Sequence, residues 1–192
     1  MAARVDGRVI VGIEDSPAGL RTLRVAVTQA IQRRQELIAI HSFRLPRDRA
    51  AHRHVRLAYG PAGSGEPLGP SRVWMTEVTE RQRRAMRVIE TAFEQAVGNV
   101  PGTVPVRLRA SSGAPGPVLA SAACYETDLL VVGVSASRRR WSFHRSVGRY
   151  CAAHAACPVL LVPAPELARE MGGRRRPWRR RELDRLLAVG PR

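Results

Sequence analysis

The sequence predicts an α/β protein: a five-stranded parallel sheet with helices on both faces. Three observations carry that prediction. From Arg8 to Val162, short apolar runs alternate with stretches of helical period, and strand–helix alternation builds a parallel sheet through right-handed crossovers. The run Arg8 to Glu14 (RVIVGIE) ends at Asp15-Ser16-Pro17, which is helix-start chemistry with proline in the first turn. The run Asp128 to Gly133 leads through a basic loop to a hydroxyl residue, Ser146, at the start of another helical stretch. Glycine there allows close approach to the backbone, and a helix start offers unpaired N–H groups, so this second junction suits an anion.

Taken in order, Arg8 to Glu14 is the first strand, and Leu20, Leu23, Val27, Ala30 and Ile31 follow at helical spacing. Leu37 to Phe43 (LIAIHSF) is the second strand. Residues 44–70 are rich in Pro, Gly, Arg and His without sustained period, and read as a long insertion. A long helix is expected from about Ser71 to Val97. Its apolar stripe is Val78, Ala85, Ile89, Ala92, Phe93 and Ala96, its other side carries Arg81, Arg83, Arg84 and Arg87, and Gly98-Asn99 stops it. Val104 to Ala110 alternates apolar with polar and reads as an edge-type strand. A turn at Ser111 to Pro117 and a short helix at Val118 to Tyr125 precede the fourth strand, Asp128 to Gly133. The last helix is expected over Ser146 to Ala156, with Val147, Tyr150, Cys151, His154 and Ala155 on one face, and the last strand over Pro158 to Val162.

Composition narrows the functional classes. The 192 residues suit one domain, 1–163, followed by a basic tail, 164–192; 44% hydrophobic content is enough for a packed core. The formal charge is +16 and every cation is arginine, because the chain contains no lysine. That excludes a Walker A phosphate loop, a lysine Schiff base and a lysine general base. Cys124, Cys151 and Cys157 lack C-x-x-C spacing and read as structural thiols of a reducing compartment. Asp6 and Glu14 flank and interrupt the first apolar run, which therefore does not read as a signal peptide. No apolar run approaches the roughly 20 residues that span a bilayer. Together these features lead to the expectation of a cytoplasmic protein with no membrane span.

The segment from Asp128 to Val162 resembles the C-terminal signature of the universal stress protein family, G-x2-G-x9-G-[ST] between a strand and a helix, followed by a Cys-Pro-Val strand. Gly133 matches the first glycine, Ser146-Val147 the hydroxyl and the apolar residue after it, and Cys157-Pro158-Val159 the strand. The second glycine falls on Ala136 and the third on Arg145, and the spacing is one residue short. VGIEDSP and IAIHSF resemble the family's first two strands; its nucleotide-contacting aspartate falls on Glu14 and its adenine-contacting valine on Ser42. The resemblance implies strand order 3-2-1-4-5, with Glu14 and Gly133 at strand ends beside the topological switch point, where open sheets bind ligands. It also implies ATP or another adenine nucleotide at Glu14, Ser42, Gly133, Ala136, Arg145, Ser146 and Val147, with Mg only as a companion of ATP. A non-catalytic regulatory role follows, in which ligand orders residues 134–145, together with a homodimer through the edge strand 158–162.

Other motifs have a chemical and a plainer reading. Arg138, Arg139, Arg140, Arg145 and Arg149 either grip phosphate bidentately, plug the pocket at Arg145, or form a solvated basic loop. Gly133-Val134-Ser135-Ala136-Ser137 mimics a nucleophile elbow, but His144 and His154 precede every later acid, so a serine hydrolase is not supported. His52 and His54 lack further metal ligands nearby, and His41 and His154 read as structural or packed. Arg174 to Arg176 and Arg179 to Arg181 flank Pro177-Trp178. The alternative function is therefore a basic interaction protein that contacts nucleic acid or an acidic partner through 138–149 and 174–181. A weak ATPase comes third, with Glu14 its one evident base.

Overall fold

The computed structural model describes residues 7–45, 72–134 and 146–166. Among the described residues, nine elements alternate. β1 (Val9–Gly12), α1 (Pro17–Arg33), β2 (Leu37–Phe43) and α2 (Arg72–Val97) come first, followed by β3 (Val106–Ser112). α3 (Pro115–Ala122), β4 (Leu129–Val134), α4 (Val147–His154) and β5 (Val159–Pro163) complete the chain of elements. All strand pairs are parallel, and the order is β3-β2-β1-β4-β5, as expected.

Period-two alternation sends each strand's side chains to two cores. Val9, Val11, Leu37, Ala39, Leu129 and Val131 pack with Leu23 and Val27 of α1 and with Ile89 and Phe93 of α2. Ile10, Ile38, Ile40, Leu130 and Val132 pack instead with Leu119 of α3 and Cys151 of α4. Helices α1 and α2 thus cover one face and α3 and α4 the other. Each fully buried side chain of this kind contributes about 1.5–3 kcal/mol. β1, β2 and β4 are buried on both faces, which explains their nearly continuous apolar sequences.

β3, α3 and the exposed face of α4 differ most from the sequence expectation. Pairing of β3 begins at Val106 rather than Val104, because Pro105 has no N–H and contributes only its carbonyl, which accepts from Leu37 N–H at 2.9 Å. The strand then runs on through Ser111 and Ser112, paired with Ser42 and Phe43, and stops at Gly113, whose φ is 134°. α3 starts at Pro115 and ends at Ala122 instead of spanning Val118 to Tyr125. Pro115 and Pro117 both lie in its first turn, where no intrahelical acceptor awaits an N–H. In α4, Cys151 is fully buried and Val147 and Ala155 are partly buried, but Tyr150 and His154 are exposed. Their rings stack on each other at 4.1 Å, so the expected five-residue apolar face is narrower.

At the N-terminal side of the sheet, Asp128 is 1% exposed and paired with Arg8 at 2.6 Å. Burial extends past β5 to Ala164, whose carbonyl lies 3.5 Å from Arg21 Nη1 on α1. Among the described residues, no helix is long and apolar enough to cross a membrane.

Candidate functional site

β1 and β4 are hydrogen-bonded neighbours, with Val11 opposite Val131, although they belong to separate halves of the chain. From β1 the chain turns into α1 on one face; from β4 it continues to α4 on the other. The neighbouring C-terminal ends of β1 and β4, which lead to helices on opposite faces, are the place where an open parallel sheet admits a ligand.

The β1–α1 turn is held by its own backbone. Ile13 N–H donates to the carbonyl of Ile40, and His41 Nδ1 donates to the carbonyl of Ile13 at 2.9 Å, so His41 is structural as the sequence suggested. Ser16 caps α1 by accepting from Gly19 N–H at 3.0 Å. A Cβ at Gly19 would collide with the Glu14 carbonyl, so only glycine lets the helix start lie this close to the strand end. Glu14, fixed between these bonds, projects an exposed side chain.

Ser42 follows Ile38 and Ile40 on the α3/α4 face and pairs in register with Ser111 of β3. Ser146 is the N-cap of α4, and its Oγ accepts from Arg149 N–H at 3.3 Å. The hydroxyl keeps its own proton for donation. Val147 and Gly148 lie in the first turn, where N–H groups have no intrahelical acceptor. This helix start therefore fits an anionic oxygen. Arg149 is exposed beside it.

Gly133 lies within β4, and its missing Cβ would meet Thr22 Oγ1 of α1 at 2.7 Å. Its small size serves the packing of α1 on the sheet, on the face opposite Ser42. Only its backbone is left for a ligand. Glu14 follows the end of β1, Ser42 lies near the end of β2, and Ser146 and Val147 begin α4. Ala136, Arg145 and the arginines at 138–140 lie outside the described residues, as do the insertion with His52 and His54, and the tail arginines.

Sequence reasoning missed α2 as a wall of open space. One cavity of about 280 Å³ lies between Asp15 and Leu20 at the start of α1 and Arg84 and Arg87 of α2. Another, of about 350 Å³, lies between His41 and Phe43 of β2 and Arg81 and Arg84 of α2. The arginine-rich side of α2 was the available signal. Among the described residues, no group of three or more His, Cys, Asp or Glu is placed to hold a metal ion.

Comparison with known proteins agrees with this architecture. The family profile described as "Universal stress protein family" matches residues 7–163. No curated protein sequence matches the chain. A crystal structure described as a universal stress protein in complex with cAMP is 20% identical, with TM-score 0.50, covering 83% of this chain and 98% of its own. The universal stress protein UspA from Lactobacillus plantarum is 18% identical, with TM-score 0.49, covering 82% and 97%. One from Archaeoglobus fulgidus, in complex with dAMP, is 16% identical, with TM-score 0.41, covering 81% and 97%.

Proposed function

The chain belongs to the universal stress protein family, and from that premise we propose that it is a cytoplasmic regulatory protein without catalytic turnover that senses an adenine nucleotide. The observation that carries this reading is the pairing of β1 with β4 beside a helix start, capped by Ser146, whose first-turn N–H groups lack acceptors. In this reading Val147 and Gly148 N–H and the Ser146 hydroxyl receive the phosphate, and Arg149 adds a cation at the rim. Glu14 accepts hydrogen bonds from the ribose or the base, and Ser42 borders the base on the same side. Gly133, Ala136 and Arg145 complete the set by resemblance, Gly133 through its backbone. ATP, with Mg beside its phosphates, is the ligand proposed. A fold neighbour described in complex with cAMP makes AMP and cAMP the next to test.

The same reading includes a homodimer through β5. That strand is an edge of the sheet with one neighbour, β4, and Leu161 is 43% exposed on it. An unpaired apolar edge is covered most simply by its own copy.

Protein purified without added nucleotide, denatured and analysed by mass spectrometry, tests the reading. Release of an adenine nucleotide, or saturable binding of ATP, AMP or cAMP by calorimetry, supports it. Neither release nor binding at millimolar nucleotide would overturn it.

A further inference from the structure

We propose that the face covered by α1 and α2 carries a second binding site, for a small amphipathic carboxylate, separate from the crevice on which the nucleotide reading rests. The two cavities that flank α2 share Arg84 and Val88 in their walls, so they are adjoining compartments. Their volumes, about 280 and 350 Å³, sit near the lower end of the roughly 300–1,000 Å³ found for small-molecule sites. They lie on the other side of the sheet from Ser42. His41 and Phe43, which line the larger compartment, alternate with Ser42 along β2.

The lining sets the ligand chemistry. Leu20, Val88 and Ala92 line the smaller compartment and belong to or pack against the α1/α2 core, so its floor is apolar. Arg84 and Arg87 stand one turn apart on α2, both exposed. Among the described residues neither makes an ion pair or hydrogen bond. Arg81, lining the larger compartment, pairs with Glu77 at 2.6 Å, yet its Nε is buried without an acceptor. A buried donor in that state is destabilising until an acceptor reaches it.

The acids decide the charge of the ligand. Glu77 and Glu80 are already engaged by Arg81 and Arg83. Asp15 lines the smaller compartment together with Arg84 and Arg87. Two unpaired arginines against one aspartate leave a single positive charge to be met. That balance fits a monoanion with an apolar body better than a polyphosphate. Guanidinium binds a carboxylate through two parallel N–H donors, which suits the pair.

Octanoate and acetate are the probes, titrated into the full chain by calorimetry and by amide NMR. Octanoate should bind saturably and shift the resonances of Arg84, Val88 and Ala92, while acetate, lacking the apolar body, binds far more weakly. Arg84→Gln should weaken octanoate about tenfold or more, the scale of one charge-assisted hydrogen bond. Thr91→Trp, on the exposed rim of the smaller compartment, should abolish binding by filling it. Both positions are exposed, so thermal midpoints should stay unchanged; Arg87→Gln repeats the test if Arg84→Gln lowers the midpoint. Absence of saturable octanoate binding would overturn the proposal. So would equal binding of acetate, or affinity unmoved by both Arg84→Gln and Thr91→Trp.

Discussion

Arg8 and Asp128 clasp the N-terminal ends of β1 and β4 together across 120 residues of sequence. Arg8 donates to the Asp128 carboxylate three times, from its backbone N–H and Nε at 3.0 Å and from Nη2 at 2.6 Å. Tyr125 N–H donates to the same carboxylate at 3.2 Å, and the guanidinium lies 4.7 Å from the Tyr125 ring centroid. The carboxylate is fully buried, so no water replaces these partners.

Asp128→Ala should therefore destabilise the protein by about 3–5 kcal/mol, since it strands a partly buried guanidinium and backbone donors. The pH dependence has a definite sign. Burial pushes the Asp128 carboxyl up, but the hydrogen bonds from the Arg8 side chain and from the Arg8 and Tyr125 N–H groups outweigh it and leave it below the ordinary carboxylate range. A carboxyl held lower in the folded state stabilises above its unfolded value, near 4, and that stability is lost as pH falls through the folded value. Urea midpoints measured from neutral pH downward should fall in wild type, and Asp128→Asn should remove this component of the fall. Parallel curves for the two proteins would contradict the clasp.

Gly133→Ala should destabilise by about 1–3 kcal/mol, because the added methyl overlaps Thr22 Oγ1. Thr22→Ala removes that atom along with its hydrogen bond to the Ala18 carbonyl. The double variant should then be more stable than the two single effects add up to. Simple additivity in urea unfolding would mean that the two residues do not touch.

Ser146 allows fold and ligand to be separated. Ser146→Ala removes the cap and should cost about 1 kcal/mol, whereas Ser146→Asp keeps a capping oxygen. Aspartate would nevertheless set a negative charge beside a bound phosphate. Adenine nucleotide affinity should thus fall in both variants, while the thermal midpoint falls only in Ser146→Ala. Full nucleotide affinity in Ser146→Asp would move the phosphate away from α4.

The cysteines should react in order of burial. Burial pushes the Cys151 thiol up to about 11 and raises that of Cys157 as well, while Cys124 is exposed. The thiolate is the reactive form. Native protein treated with iodoacetamide at mildly alkaline pH should be modified first at Cys124 and last at Cys151, by peptide mass spectrometry. Early modification of Cys151 would contradict its place in the core.

The strands and the order of elements were legible because β-branched runs and helical period are local properties. β2 is bounded in the structure as the sequence suggests. The ends of β3 and α3 were harder, since Pro105 acts through the partner it pairs with and Pro115 is compatible with turn or helix start. Gly133 shows the limit for the site. A glycine after a strand reads as an open path for phosphate, but the atom that requires it, Thr22 Oγ1, is 111 residues earlier in the chain. The cavities beside α2 were hidden for the same reason, as they exist only once β2 and the start of α1 stand opposite its arginines.

The central position of β1 has a consequence for how the protein is made. β1 can pair with β2 as soon as β2 has left the ribosome, and β3 can then extend that half. Its other side waits for β4, whose Leu129 meets Val9 after 120 further residues. Contacts of such separation form late and slowly, because the intervening chain must be ordered first. During that interval β1 presents a bare row of N–H and C=O groups flanked by valine and isoleucine, the state in which a nascent chain is most exposed to misassociation. The Arg8–Asp128 clasp closes only when that interval ends.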